Sequence, residues 1–63
     1  MNKRYICVLA YYQGSDFLNI SLDSVFTHAL GDEDAYDSRE VDDLESKHLA
    51  LGHTIVNKYV TEV

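Results

Sequence analysis

The chain has 63 residues, eleven acids against five bases, and a net charge of −6. A chain this short buries only about 60% of its unfolded surface, so one small domain, residues 1–63, is expected, and a partner can matter to its stability. At 46% hydrophobic and 25% charged it has the composition of a folded protein. A groove that tracks phosphates needs clustered Lys and Arg, so direct nucleic-acid binding is not expected. Cys7 is the one cysteine and there is no proline. This rules out an internal disulfide, a four-cysteine zinc site and a two-cysteine, two-histidine zinc site. The lack of a disulfide in so small a domain points to a reducing compartment. Lys3 and Arg4 followed by an apolar run faintly echo a signal peptide, but Tyr11, Tyr12 and Gln13 interrupt it and no cleavage motif follows. No stretch reaches the roughly 18 apolar residues of a membrane span. The expectation is a soluble, cytoplasmic protein.

In chain order, residues 4–12 (RYICVLAYY) are almost continuously apolar and rich in β-branched and aromatic types. That is the pattern of a central strand covered on both faces. Gln13-Gly14-Ser15-Asp16 reads as a turn. Leu18, Ile20 and Leu22 then alternate with Asn19, Ser21 and Asp23, as in a strand with one buried face, which completes a hairpin. A competing pattern over the same residues starts a helix at Ser21, stapled by Ile20 and Val25, and ends it at Gly31. A strand to Asp23 followed by a helical turn would also satisfy the pattern.

The next helix begins at Asp37, an N-cap with Glu40 three residues on as its capping-box partner and Tyr36 and Val41 as a staple. Val41, Leu44, His48 and Leu51 recur at helical spacing and mark its inward stripe, and Gly52 ends it. His53 to Thr61 is dense in β-branched residues and reads as a last strand, although Ile55 and Tyr59 would also continue the helical stripe through Gly52. The resulting fold class is α+β, a small single domain ordered β-β-α-β, with one helix packed on a short antiparallel or mixed sheet.

Residues 32–45 hold eight of the eleven acids and a single base. Their local balance is −7, which leaves +1 for the other residues. Carboxylates three or four residues apart on a helix lie about 5–6 Å from one another, on the scale of successive backbone phosphates. Such a segment would be steered onto the basic groove of a nuclease, polymerase or repressor. The candidate partner-binding residues are Asp32, Asp34, Tyr36, Asp37, Asp42, Asp43 and Glu45. The plainer reading is that acids complement the helix dipole at Asp37, Glu40 and Asp42 and keep the chain soluble.

Sharper chemistries fare poorly. A calcium loop counted from Asp32 has Tyr36 at its fifth position, Asp37 where the turn glycine belongs and Asp43 where the closing glutamate belongs. His48 and His53 are five apart with Gly52 between them, unlike a helical zinc pair. His48 is better explained as a buried histidine with a hydrogen-bond partner, and Cys7 as a small core side chain. No phosphate-binding or nucleophile motif is present, and a chain this short hardly encloses a pocket. Neither enzyme activity, cofactor nor bound metal is expected.

The expected function is that of a small acidic interaction module. It would be an inhibitor or modulator docking its acidic segment on the basic, nucleic-acid-binding surface of a larger protein, such as a nucleic-acid mimic of viral or mobile-element type. The alternative is a structural or assembly subunit, a homodimer that self-associates through Tyr11, Tyr12 and the 55–60 strand. A third reading is a module tuned by divalent ions through the oxygen-rich segment.

Overall fold

A computed structural model describes residues 3–31 and 35–63 of the chain. Three strands and one helix follow one another as β1 (Arg4–Gln13), β2 (Ser21–His28), α1 (Ser38–Ala50) and β3 (His53–Glu62). The strands form one antiparallel sheet in the order β2-β1-β3, with α1 across one face. The expected β-β-α-β order and α+β class are what the structure shows, and the sheet is antiparallel throughout.

Alternation along β1 sorts its side chains into two sets. Tyr5, Cys7 and Leu9 are buried on the helix side and close against Val41 and Leu44 of α1. Ile6, Val8, Ala10 and Tyr12 point the other way and are only half-buried, since none of the described elements covers that face. The continuous apolar run therefore marks a central strand, as expected, but one covered on a single face instead of two. The described residues form one helix, and it lies on one side.

The β1–β2 connection is longer than the turn expected at residues 13–16, and pairing starts only at Ser21, opposite Tyr11. The helix pattern starting at Ser21 is not adopted, and neither is the strand-then-turn compromise, because Ser21–His28 is strand throughout. Backbone pairing with β1 outweighed the helical spacing of Leu22, Val25, Phe26, Ala29 and Leu30. Leu18, Ile20 and Leu22 do not form a buried face. Leu18 and Ile20 precede the strand, and Leu22 sits on the uncovered side, exposed. Leu51 also departs from the expected inward stripe. It is the C-cap residue, where the helical path ends, and it is exposed. Gly52 follows it with φ +78°, the left-handed conformation that stops the helix and rules out its continuation into β3.

The pairing of β3 with β1 is irregular at one point. The register runs Cys7–Val60, Leu9–Lys58, then slips to Tyr11–Ile55 and Gln13–His53, so Val56 is the extra residue of a bulge. An unbroken strand would put Val56 and Thr54 on the helix side with Val60. The bulge puts Ile55 and His53 there instead.

Leu9 is fully buried at the centre of the covered face, whereas Leu49 lies exposed on the helix flank. Leu9→Ala should lower the unfolding free energy by about 2–5 kcal/mol through the lost burial and the cavity it leaves. Leu49→Ala should stay within about 0.5 kcal/mol. Urea unfolding followed by circular dichroism reads both values, and equal losses would contradict the core as described.

Candidate functional site

The helix that carries the acids is tied down at both ends. At its start, Asp37 is 4% exposed and engaged on every side. Its backbone N–H donates to the His28 carbonyl (2.9 Å), and its own carbonyl accepts from the buried Thr27 hydroxyl (2.6 Å). Its carboxylate accepts from the Arg39 N–H (3.0 Å) as the expected N-cap. The expected capping box does not form, because the carboxylate caps the N–H of Arg39 at the second helical position and not that of Glu40 at the third. The Asp37 N–H that Glu40 would have capped is already held by β2. The Arg39 guanidinium grips the same carboxylate in a fork, Nε to Oδ1 at 3.0 Å and Nη2 to Oδ2 at 2.6 Å. These hydrogen bonds, the Arg39 side chain foremost, hold the Asp37 carboxyl down at about 2.

Near the other end, His48 is 2% exposed and both of its ring nitrogens are engaged. Nε2 lies 2.8 Å from Asp23 Oδ2 on β2, and Nδ1 lies 2.8 Å from His53 Nδ1 on β3. Tyr11 of β1 packs over both rings, stacked on His53 with centroids 4.8 Å apart and tilted against His48 at 4.2 Å. An ionised carboxylate only accepts, so His48 Nε2 carries a proton. The contact between the two Nδ1 atoms holds a single proton, donated by whichever ring bears it. Protonating both rings would set two N–H groups against each other. The hydrogen bond from His48, followed by that from the Ser24 N–H, keeps the Asp23 carboxyl below the usual carboxylate range. His48 thus has the hydrogen-bonded, buried role that its place on the apolar stripe implied. Its partners come from two different strands, and the β3 bulge is what turns His53 toward it. No sequence spacing signals that contact.

The candidate partner-binding residues fall into distinct environments. Asp32 and Asp34 lie outside the described residues. Tyr36 is half-buried, its ring tilted against Tyr5 with centroids 5.7 Å apart. Asp37 is the buried cap just described. Glu45 is half-buried and accepts a hydrogen bond from the Lys58 ammonium of β3, which raises the lysine above its ordinary value. Asp42 and Asp43 are exposed on α1, and Glu40, one turn before Asp43, is exposed with them. The structure thus gathers Glu40, Asp42 and Asp43 on the outer helix surface and turns Tyr36, Asp37 and Glu45 to contacts within the chain. Cys7 is fully buried in β1, and desolvation pushes its thiol up.

Among the described residues no group of three or more His, Cys, Asp or Glu side chains is arranged to hold a metal ion, and no helix is long and apolar enough to cross a membrane. Comparison of the chain with protein-family models, curated proteins and solved structures finds no match.

A carboxyl depressed in the folded state stabilises the fold above its unfolded value and stops doing so as the pH falls through its folded value. Asp37 should therefore contribute fully above about pH 4, and its contribution should vanish as the pH drops toward 2. Asp37→Asn should be less stable at neutral pH and show a shallower loss between pH 4 and 2, with the residual slope arising from Asp23. Thermal unfolding across that range decides it. A slope unchanged by the substitution would contradict the assigned role.

Proposed function

We propose that this protein is a small, non-catalytic interaction module of the cytoplasm, an inhibitor or modulator that presents the outer face of α1 to a basic surface on a larger protein. The observation that supports this is the pinning of the helix. Thr27 and His28 of β2 hold one end through Asp37, and Asp23 and His53 hold the other through His48, so the exposed carboxylates of Glu40, Asp42 and Asp43 project from a rigid support. A charge array that is already ordered loses little conformational entropy on docking. Glu40 and Asp43, three residues apart on the helix, sit about 5–6 Å from each other, so this pair offers a partner's Lys and Arg side chains a phosphate-like spacing, with Asp42 adding charge beside it. A nucleic-acid-binding groove is the surface such an array suits best, and occupying that groove would block it. A mimic of the kind viruses and mobile elements encode is the narrowest form of this reading.

Immobilised protein should retain from lysate a basic protein that elutes between roughly 0.1 and 1 M salt, as the Debye length contracts from about 10 Å to about 3 Å. Asp42→Lys/Asp43→Lys replaces two exposed side chains, so the fold should persist while that species is lost. Retention of the same species at the same salt by the double variant, or retention of none by the native protein, would refute the proposal.

A further inference from the structure

The uncovered face of the sheet lies on the side away from the acidic helix. Register places Arg4, Ile6, Val8, Ala10 and Tyr12 of β1 on it. They are flanked by Leu22, Ser24, Phe26 and His28 of β2, and by Thr54, Asn57, Tyr59 and Thr61 of β3. Three large side chains on the flanking strands are at least half exposed, Leu22 at 69%, Phe26 at 50% and Tyr59 at 60%. We infer that this face is the interface of a homodimer, two copies stacking sheet against sheet into a helix–sheet–sheet–helix sandwich.

Three observations favour a second copy as the occupant. The first is charge. Among the described strand residues no carboxylate lies on this face, and its ionisable side chains besides the tyrosines are Arg4 and, at the same end, His28, whose Nε2 turns to within 3.8 Å of Asp37 Oδ2. Two chains of net charge −6 repel unless their acids are kept apart. Stacked sheets sit about 10 Å apart, so the helices on the outer sides would be separated by more than the Debye length of about 8 Å at physiological salt. The second is area. Strands of about ten residues rising about 3.4 Å each, three abreast at about 4.8 Å, give a flat footprint of roughly 500 Å² per copy. The two copies then reach the order of 1,000 Å² that a specific interface needs, before the relief of the side chains is counted. The third is the sequence of β1, which is apolar toward both faces while the described chain supplies a cover for one.

Orientation follows from the ends of the face. A two-fold axis along the strands would set the Arg4–His28 end of one copy over the same end of the other. An axis across the strands sets that end over the Tyr12–Leu22 end instead, where a guanidinium meets an aromatic ring. Arg4 already lies 4.8 Å from the centroid of the Phe26 ring. The strands of the two copies therefore run antiparallel across the interface.

Light scattering coupled to size exclusion tests this. A mass of twice 7.2 kDa is expected at tens of micromolar, unchanged or strengthened by raising the salt. Leu22→Lys/Tyr59→Lys should give a monomer that keeps its circular dichroism spectrum. A native protein that stays monomeric, or a dimer that survives the double substitution, would overturn the inference. Should the variant not fold, isotope-filtered NOEs in a mixed labelled and unlabelled sample of the native protein decide. Contacts between copies at Val8 and Phe26 support the stack, and contacts confined to α1 or to the outer strand edges refute it. Asp42→Lys/Asp43→Lys should leave the mass unchanged, so failure here is separable from failure of the acidic reading.

Discussion

A strand that is apolar on both sides, in a chain whose described residues supply one helix, is the constraint on which the rest of this structure depends. β1 sits between β2 and β3 because it is the most continuously apolar of the three strands, and its central place satisfies its backbone on both edges. Its odd-numbered residues, Tyr5, Cys7 and Leu9, make the core with Val41 and Leu44. Its even-numbered residues have no such cover. Antiparallel sheets commonly tolerate one wet face, but that face is then polar, and here Ile6, Val8, Leu22, Phe26 and Tyr59 stand on it. The two sides of the molecule differ accordingly, with the described carboxylates toward the helix or in loops and the apolar surface on the opposite side.

Apolar packing between one helix and one sheet leaves the helix free to slide or rotate by small amounts, and the polar contacts remove that freedom. Thr27, His28 and Asp37 join the start of α1 to the end of β2. Asp23, His48 and His53 join its last turns to both outer strands. Each is a directional hydrogen bond in or beside a small core, where misplacement would leave a buried polar group unpaired at a cost of about 1–3 kcal/mol. The bulge at Val56 belongs to the same device, since it alone turns His53 toward the helix side. A helix held in this way displays its outer carboxylates in one arrangement.

Much of this was legible in the sequence, for reasons particular to each segment. The dense apolar run of β1, the Asp37 cap and the Gly52 stop are local signals that tertiary structure had no cause to override. The stretch from Leu18 to Leu30 was ambiguous because its apolar residues fit two periods, and only pairing with β1 selected the strand. The number of covered faces could not be read from β1 itself, because an apolar run reports what a strand prefers to contact and not what the chain provides. Asp37 and Glu45 looked like surface acids because charge alone does not reveal a fork from Arg39 or a lysine arriving from β3. The contact between His48 and His53 depends on a register slip, for which the five-residue spacing gives no sign.

Solution X-ray scattering at a concentration where the mass is doubled tests the central claim, that β1 is closed by the helix on one side and by a second copy on the other. One copy measures 43 × 19 × 12 Å across its Cα atoms. Stacking through the open face predicts a particle that thickens while its longest dimension stays that of a single copy. A particle that lengthens or widens instead, as strand edges or chain ends would make it, contradicts the account.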